Sequence, residues 1–431
     1  MWLIGVMAVK AEVTERRQIG TAILTQTTMT IPSLPQETLD FIVDLLLDEP
    51  EALKACCLSS KLWIPRARKH LFAKIELRSK KDFESWKKAF PDPSNSPADH
   101  THTISVRCAP LVSMADVRAG GLIQTFPRVV RLKLDWIRDS SERLSQRAAT
   151  EELKRMSLTP FYGFSSTLKS LHLRLSPLPC GQIFDFVRAS PLLEDLTLFG
   201  LLLPSSEGGD LHGPQIAASP TSPALTGCLD LHIRAGIGPS ARQLLDLPGG
   251  LHFRKLMLSW FREGDLRWVT ELVVRCTNTL EYIGLECTFV LVPSLSCSLS
   301  PSAGESGPAS VDLSKVAKLR EVVFLPQSPA VAWITAALQT ITEHQDLQHI
   351  SIHAPFRFTF IKSSTDVRQD IGGGISEQWS DLDRLLVRLW ESRSIRPKVV
   401  CKPLERENRN TRRCIGCLLP EMTERGIIDL V

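Results

Sequence analysis

Little in the 431-residue chain points to catalysis. It has no Gly-x-Ser-x-Gly elbow, no phosphate-binding P-loop, no His-Glu-x-x-His pair and no paired Cys and His at ligand spacing. The usual signatures of nucleophilic, phosphoryl-transfer and metal chemistry are therefore missing, and the chain is read as a non-enzyme without a cofactor. Charge is almost balanced as well: 51 basic residues against 47 acidic ones leave a net of +4. That balance gives the whole chain no pull toward nucleic acid or a membrane surface. The eleven cysteines are odd in number and follow no framework spacing, as expected of reduced thiols in cytoplasm or nucleus. Cys414-x-x-Cys417 is the single CxxC, and without a second pair it predicts no zinc. The apolar start MWLIGVMAV lacks a basic lead and is followed at once by Lys10, Glu12, Glu15, Arg16 and Arg17. It reads as neither signal peptide nor membrane span, and residues 1–28 are expected to be a disordered leader.

The most specific pattern runs from Ile31 to Phe72. Pro35 suits a first helical turn and Glu37 places acid near a helix N-terminus. Leu39, Ile42, Val43 and Leu46 then fall on one helical face, while Asp40, Asp44 and Asp48 recur every four residues as a solvated one. Pro50 closes this helix. Leu53, Cys56, Cys57 and Leu58 offer a second apolar face, and a third short helix is expected between Trp63 and Phe72. Three short helices hide too little apolar surface to stand alone, so the unit should lean on a partner. In this segment Leu34-Pro35-x-Glu37, the series Leu39, Ile42, Leu46, then Leu53, Leu58-Ser59 and Trp63 resemble the F-box. That resemblance implies a unit over residues 29–73 that docks, through these residues other than Ser59, onto the small adaptor of a cullin-RING ubiquitin ligase.

Beyond it one short template recurs: an apolar residue, two of any kind, an apolar residue, one of any kind, an apolar residue. It occurs at Phe72-Ile75-Leu77, Val129-Leu132-Leu134, Leu168-Leu171-Leu173, Leu193-Leu196-Leu198, Phe253-Leu256-Leu258, Leu280-Ile283-Leu285, Leu319-Val322-Phe324 and Leu347-Ile350-Ile352. Weaker copies stand at Ile104-Val106 and Leu229-Leu231-Ile233. Most steps between middle residues are 25 to 29 residues, room for one strand and one helix per unit. Helices are expected at Asp82 to Phe90, Met114 to Phe126, Gly181 to Ala189, Pro239 to Leu247, Asp265 to Cys276 and Pro329 to Glu343. This pattern resembles irregular leucine-rich repeats of the kind found in fungal F-box proteins. It implies an α/β fold in which a solenoid of parallel strands alternates with helices over residues 74–400. Where regular repeats carry Asn or Cys, this chain has Ile137, Ser176, Leu201, Phe261, Thr288, Gln327 and Pro355, so no polar ladder is expected.

The Ser- and Pro-rich run at 291–310 predicts a disordered insertion. Trp379, Leu382, Leu385, Leu386, Leu389 and Trp390 predict a helical cap over 377–394, and residues 401–431 are read as a basic tail. From Arg388 to Arg413 nine basic residues face three acidic ones. With no aromatic residue interleaved after Trp390, a solvated tail is favoured over a nucleic-acid arm.

Alternation within the strands separates core from outer face. The outward set, expected to line a concave target-binding wall, includes Arg131, Lys133, His172, Arg174, Phe199, His232, Lys255, Met257 and Tyr282, with Ser259 and Glu286 exposed beside them. Trp136 and Trp260 stand two residues past the last leucine of their strands, and two readings stay open: anchors at the rim, or core. The resemblance to F-box proteins with leucine-rich repeats implies a substrate-recognition subunit of an SCF-type ligase, whose target the sequence does not name. A protein- or nucleic-acid-binding scaffold without ligase coupling is the alternative.

Overall fold

The computed structural model describes residues 34–78, 80–92, 96–107, 125–135, 158–174, 178, 180–200, 225–233, 236–261, 263–287, 310–326, 331–341, 346–354, 373–393, 395–401, 416–427 and 429–430. The leader, the insertion at 291–309, most of the helix expected at Met114 to Phe126, and Trp136 lie outside these residues. The chain divides into two compact units, 1–178 and 179–431.

The first unit opens with three helices, α1 (Gln36–Leu45), α2 (Pro50–Ser59) and α3 (Ile64–Leu71). Pro35 is the N-cap of α1, one residue before the helix, while Pro50 begins α2 instead of merely ending α1. Parallel strands follow: β1 (Lys74–Leu77), helix α4 (Lys80–Ala89), β2 (Thr103–Arg107), β3 (Arg131–Asp135) and β4 (Ser170–Arg174). They pair in chain order, so Ile75, Ile104, Leu132 and Leu171 form one buried row and Leu77, Val106, Leu134 and Leu173 the next. Parallel neighbours need a crossover between them, which is why strand and helix alternate. Beside these rows Trp86 of α4 packs its ring against Phe72, Phe90 and Phe126.

The second unit continues the same construction. Its elements are α5 (Cys180–Arg188), β5 (Asp195–Gly200), β6 (Cys228–Ile233), α6 (Gly238–Leu245), β7 (Lys255–Phe261), α7 (Leu266–Arg275), β8 (Tyr282–Cys287), β9 (Glu321–Phe324), α8 (Ala332–Gln339), β10 (His349–Ala354), α9 (Gly373–Arg393), β11 (Arg396–Cys401), α10 (Pro420–Glu424) and β12 (Asp429–Leu430). All eight strands pair in parallel and in order. One buried row runs Leu229, Leu256, Ile283, Val322, Ile350, Pro397, and its neighbour Leu231, Leu258, Leu285, Phe324, Ile352, Val399. Leu266, Val269, Leu272 and Val273 bury one face of α7, the stripe that a helix against a sheet requires.

Among the described residues, three threonines fasten one strand turn to the one before it. The Thr101 hydroxyl donates to the Phe72 carbonyl at 2.9 Å, Thr167 to Val129 at 2.7 Å and Thr279 to Phe253 at 3.1 Å. Each acceptor is the leading apolar residue of the preceding template copy. Such bonds satisfy backbone carbonyls that burial would otherwise leave unpaired.

Two expectations at the C-terminal end are corrected. The helix read as a cap, α9, is followed by another strand, β11, so it is a crossover within the series. The segment read as a basic, solvated tail is packed in part: among its described residues Leu418, Leu419, Met422 and Ile427 are buried, and β12 pairs with β11. Helix α9 organises this end by lending side chains to two neighbours. Gln378 accepts from the Val331 and Ala332 amides at 3.1 and 3.2 Å at the start of α8. The buried Asp383 accepts from the Glu421 and Met422 amides at 2.8 and 3.2 Å, capping α10. Burial holds the Asp383 carboxyl above its usual value in spite of those two donors.

Candidate functional site

Two surfaces stand out, one in each unit. The first is on the helical triplet. Its core is Val43, Leu53, Cys56 and Ala67, with Leu46, Cys57, Trp63 and Leu71 packed around it. Leu39 is also buried, at 7% exposure. Of the residues expected to meet an adaptor, Leu39 and Leu53 thus serve the interior, and Ile42, Leu46 and Trp63 are half-buried. Leu34, Pro35, Glu37 and Leu58 face solvent. The outward apolar surface comes mostly from residues the sequence reading passed over: Phe41, Leu45, Leu47 and Leu62, exposed by 53 to 69%. Phe41 and Leu45 are one helical turn apart and share a stripe. Gln36 ties the start of α1 to the other helices by donating to the Leu62 carbonyl at 3.4 Å. The signal available was Phe41 and Leu45 at i, i+4 on the face opposite Leu39 and Val43.

The aspartate repeat on α1 is not simply solvated. Asp44 takes both donors of the Arg66 guanidinium, Nε and Nη2, at 2.6 Å each, and lies 2.6 Å from His70 Nε2. Arg66 and His70 are one turn apart on α3, so a single carboxylate clamps α1 to α3. The Arg66 guanidinium first, and then His70, holds the Asp44 carboxyl far below the usual aspartate range. A carboxyl depressed in the folded state contributes stability above its unfolded value, about 3.9, and loses it as pH falls through the folded one. The amides of α1 and α3 should therefore lose exchange protection in acid. Asp44→Asn should show the weakened state already at neutral pH and flatten the acid dependence. An acid profile identical to that of the unaltered chain would contradict the clamp.

The second surface is the polar face at the ends of β5 to β8. The register sets Phe199, His232, Ser259 and Glu286 side by side. At the next position of β7 the ladder is irregular, with a shift between Ser259 and Phe261, and Trp260 adopts φ +64. A bulky residue in the left-handed region is strained, and bulges of this kind re-aim side chains. Here the indole turns back over the sheet. Its ring centroid lies 5.7 Å from Phe199 and 6.3 Å from His232, and Nε1 donates to Glu286 Oε1 at 2.9 Å. Phe199 and His232 are themselves 5.2 Å apart. Of the two readings open for Trp260, the geometry supports a packed ring that remains half exposed.

His232 Nε2 lies 2.8 Å from Asp230 Oδ1 and 3.5 Å from the Ser259 hydroxyl. The three residue types suggest a relay, but both contacts fall on the same ring nitrogen, whereas a relay needs base and orienting acid on opposite nitrogens. Ser259 is moreover 1% exposed. This is a structural polar cluster. Burial opposes protonation of His232, yet the hydrogen-bonded Asp230 carboxylate and nearby Glu286 outweigh it and raise the imidazole pKa. Ser259 and Glu286, expected in solvent, are buried; alternation assigns a face but not its openness.

The other outward residues divide. Arg131, Lys133, Arg174 and Lys255 are exposed, and His172, Met257 and Tyr282 are half-buried. Met257 fills the place of a missing side chain, since a Cβ on Gly284 would meet its Sδ at 2.2 Å. The Lys255 ammonium stands 4.3 Å over the Tyr282 ring. Burial, then the negative charge of Glu321 and its neighbours, pushes the Tyr282 phenol up to about 12.

A cleft of about 560 Å³ between α8, α9 and α10 is lined by charges that largely pair among themselves, Arg384 with Asp381 and Arg425 with Glu391. Among the described residues no group of three or more His, Cys, Asp or Glu is placed to hold a metal ion, and no helix is long and apolar enough to cross a membrane. Comparison with protein-family models and with curated proteins finds no match to the chain.

Proposed function

We propose that the chain is the substrate-recognition subunit of a cullin-RING ubiquitin ligase. In this reading the helical triplet is an F-box that docks the adaptor, and the polar face of the leucine-rich-repeat-like strands holds the target. One observation carries it. Six of the eight large apolar side chains exposed among the described residues, Leu34, Phe41, Leu45, Leu47, Leu58 and Leu62, belong to residues 34–62. Contiguous apolar surface is rare on a protein that works alone, and covering it contributes roughly 25 cal/mol per Å². The strand series has the opposite character, with its leucines buried and its charges outward, as suits a scaffold for a varied partner.

The test is co-purification of the adaptor with the full-length chain. Phe41→Asp with Leu45→Asp places two charges on the exposed stripe and touches neither Val43 nor Leu53. The double variant should lose the adaptor while its thermal unfolding stays unchanged. Adaptor recovery equal to that of the unaltered chain would refute the docking surface.

A further inference from the structure

The polar face of β1 to β4 is basic, and its charge is not balanced within the sheet. Register places Lys74, Thr103, Arg131 and Ser170 in one row, Glu76, Ser105, Lys133 and His172 in a second, and Arg107, Asp135 and Arg174 in a third. Five basic residues thus share the face with two acids, an excess of three, where the whole chain has an excess of four. Of the two acids, Glu76 is committed to two arginines, Arg78 at 2.9 Å and Arg107 at 2.7 Å. Asp135 lies between Arg107 and Arg174 in register. Arg131 and Lys133, on the central strand β3, are exposed and make no ion pair among the described residues.

Two positions along a strand are about 6.6 Å apart, so Arg131 and Lys133 repel each other unless something anionic lies over them. An extended peptide with an acid at every second residue repeats at that same distance. Nucleic acid would also supply anions, but proteins that hold single strands interleave aromatic rings for base stacking. The three rows contain none beyond His172. We propose that this face binds an extended acidic segment of a target protein, with its carboxylates meeting Arg131 and Lys133 between Arg107 and Arg174. The proposal rests on the target-holding reading of the strands and not on adaptor docking.

Fluorescence anisotropy with the full-length chain and a short labelled peptide carrying Glu at alternate positions tests it. Saturable binding is expected at low salt. It should disappear near 1 M salt, where charges are screened within about 3 Å. Arg131→Glu with Lys133→Glu should weaken binding on the order of tenfold or more at an unchanged melting temperature. Reversing Arg275 and Lys318, two exposed bases remote in sequence, should leave it intact. Absence of binding, equal loss in both double variants, or tighter binding of a short single-stranded DNA would overturn the proposal. If the peptide fails while the adaptor still co-purifies, the acidic segment alone is withdrawn and the ligase reading stands.

Discussion

Leu53→Ala melts the helical triplet. Leu53 is 1% exposed at the centre of the small cluster with Val43, Cys56 and Ala67. Truncating a buried leucine costs about 2–5 kcal/mol through lost burial and the cavity left behind. Three short helices have no larger core to spread that loss over, and natural domains hold only about 5–15 kcal/mol in total. Hydrogen exchange should therefore show the amides of α1 to α3 unprotected while those of β6 to β8 remain protected. Phe41→Ala, at 62% exposure, should leave exchange unchanged throughout. Retained protection of α1 to α3 in Leu53→Ala would show that something other than this cluster holds the helices together.

The second large effect is at Trp260, where two substitutions should differ in an unusual order. Trp260→Ala removes ring contacts with Phe199 and His232 and the indole donor to the buried Glu286. Aromatic pairs contribute about 0.5–1.5 kcal/mol and a hydrogen bond to a charged group about 1.5–3 kcal/mol, so a loss of roughly 2–4 kcal/mol is expected. Trp260→Gly removes the same groups, yet glycine adopts φ +64 without strain. It should be more stable than the alanine variant by about 1 kcal/mol, against the usual ranking of the two residues. Equal stabilities, or alanine above glycine, would mean that the backbone at the bulge is not strained.

The strands were legible in the sequence because each unit repeats one burial pattern. All eight full template copies and both weak ones coincide with strands β1 to β10. The series was read two strands short. In β11 a proline, Pro397, occupies the middle apolar position and pairs with Ile350, which hides the template, and β12 has two residues. The basic count from Arg388 to Arg413 drew attention from Leu418, Leu419, Met422 and Ile427, whose burial packs the end of the chain. The Asp44 clamp joins residues 22 and 26 positions apart; Arg66 and His70 on one turn of α3 were a usable clue, but only with α1 and α3 known to be adjacent. Strain at Trp260 left no trace, since nothing in KLMLSWF marks a left-handed tryptophan. The threonine fasteners were missed for a different reason: they bond from just before the strand, not from the ladder position after it.

The most direct measurement is calorimetric titration of the purified full-length chain with the purified adaptor at several temperatures. Docking through Phe41, Leu45 and their neighbours predicts saturable one-to-one binding with a negative heat-capacity change, the mark of apolar surface leaving water. The same titration with Phe41→Asp and Leu45→Asp combined should give no binding heat. An unaltered chain that gives no heat of association at any temperature, or that binds with no heat-capacity change, would contradict the account.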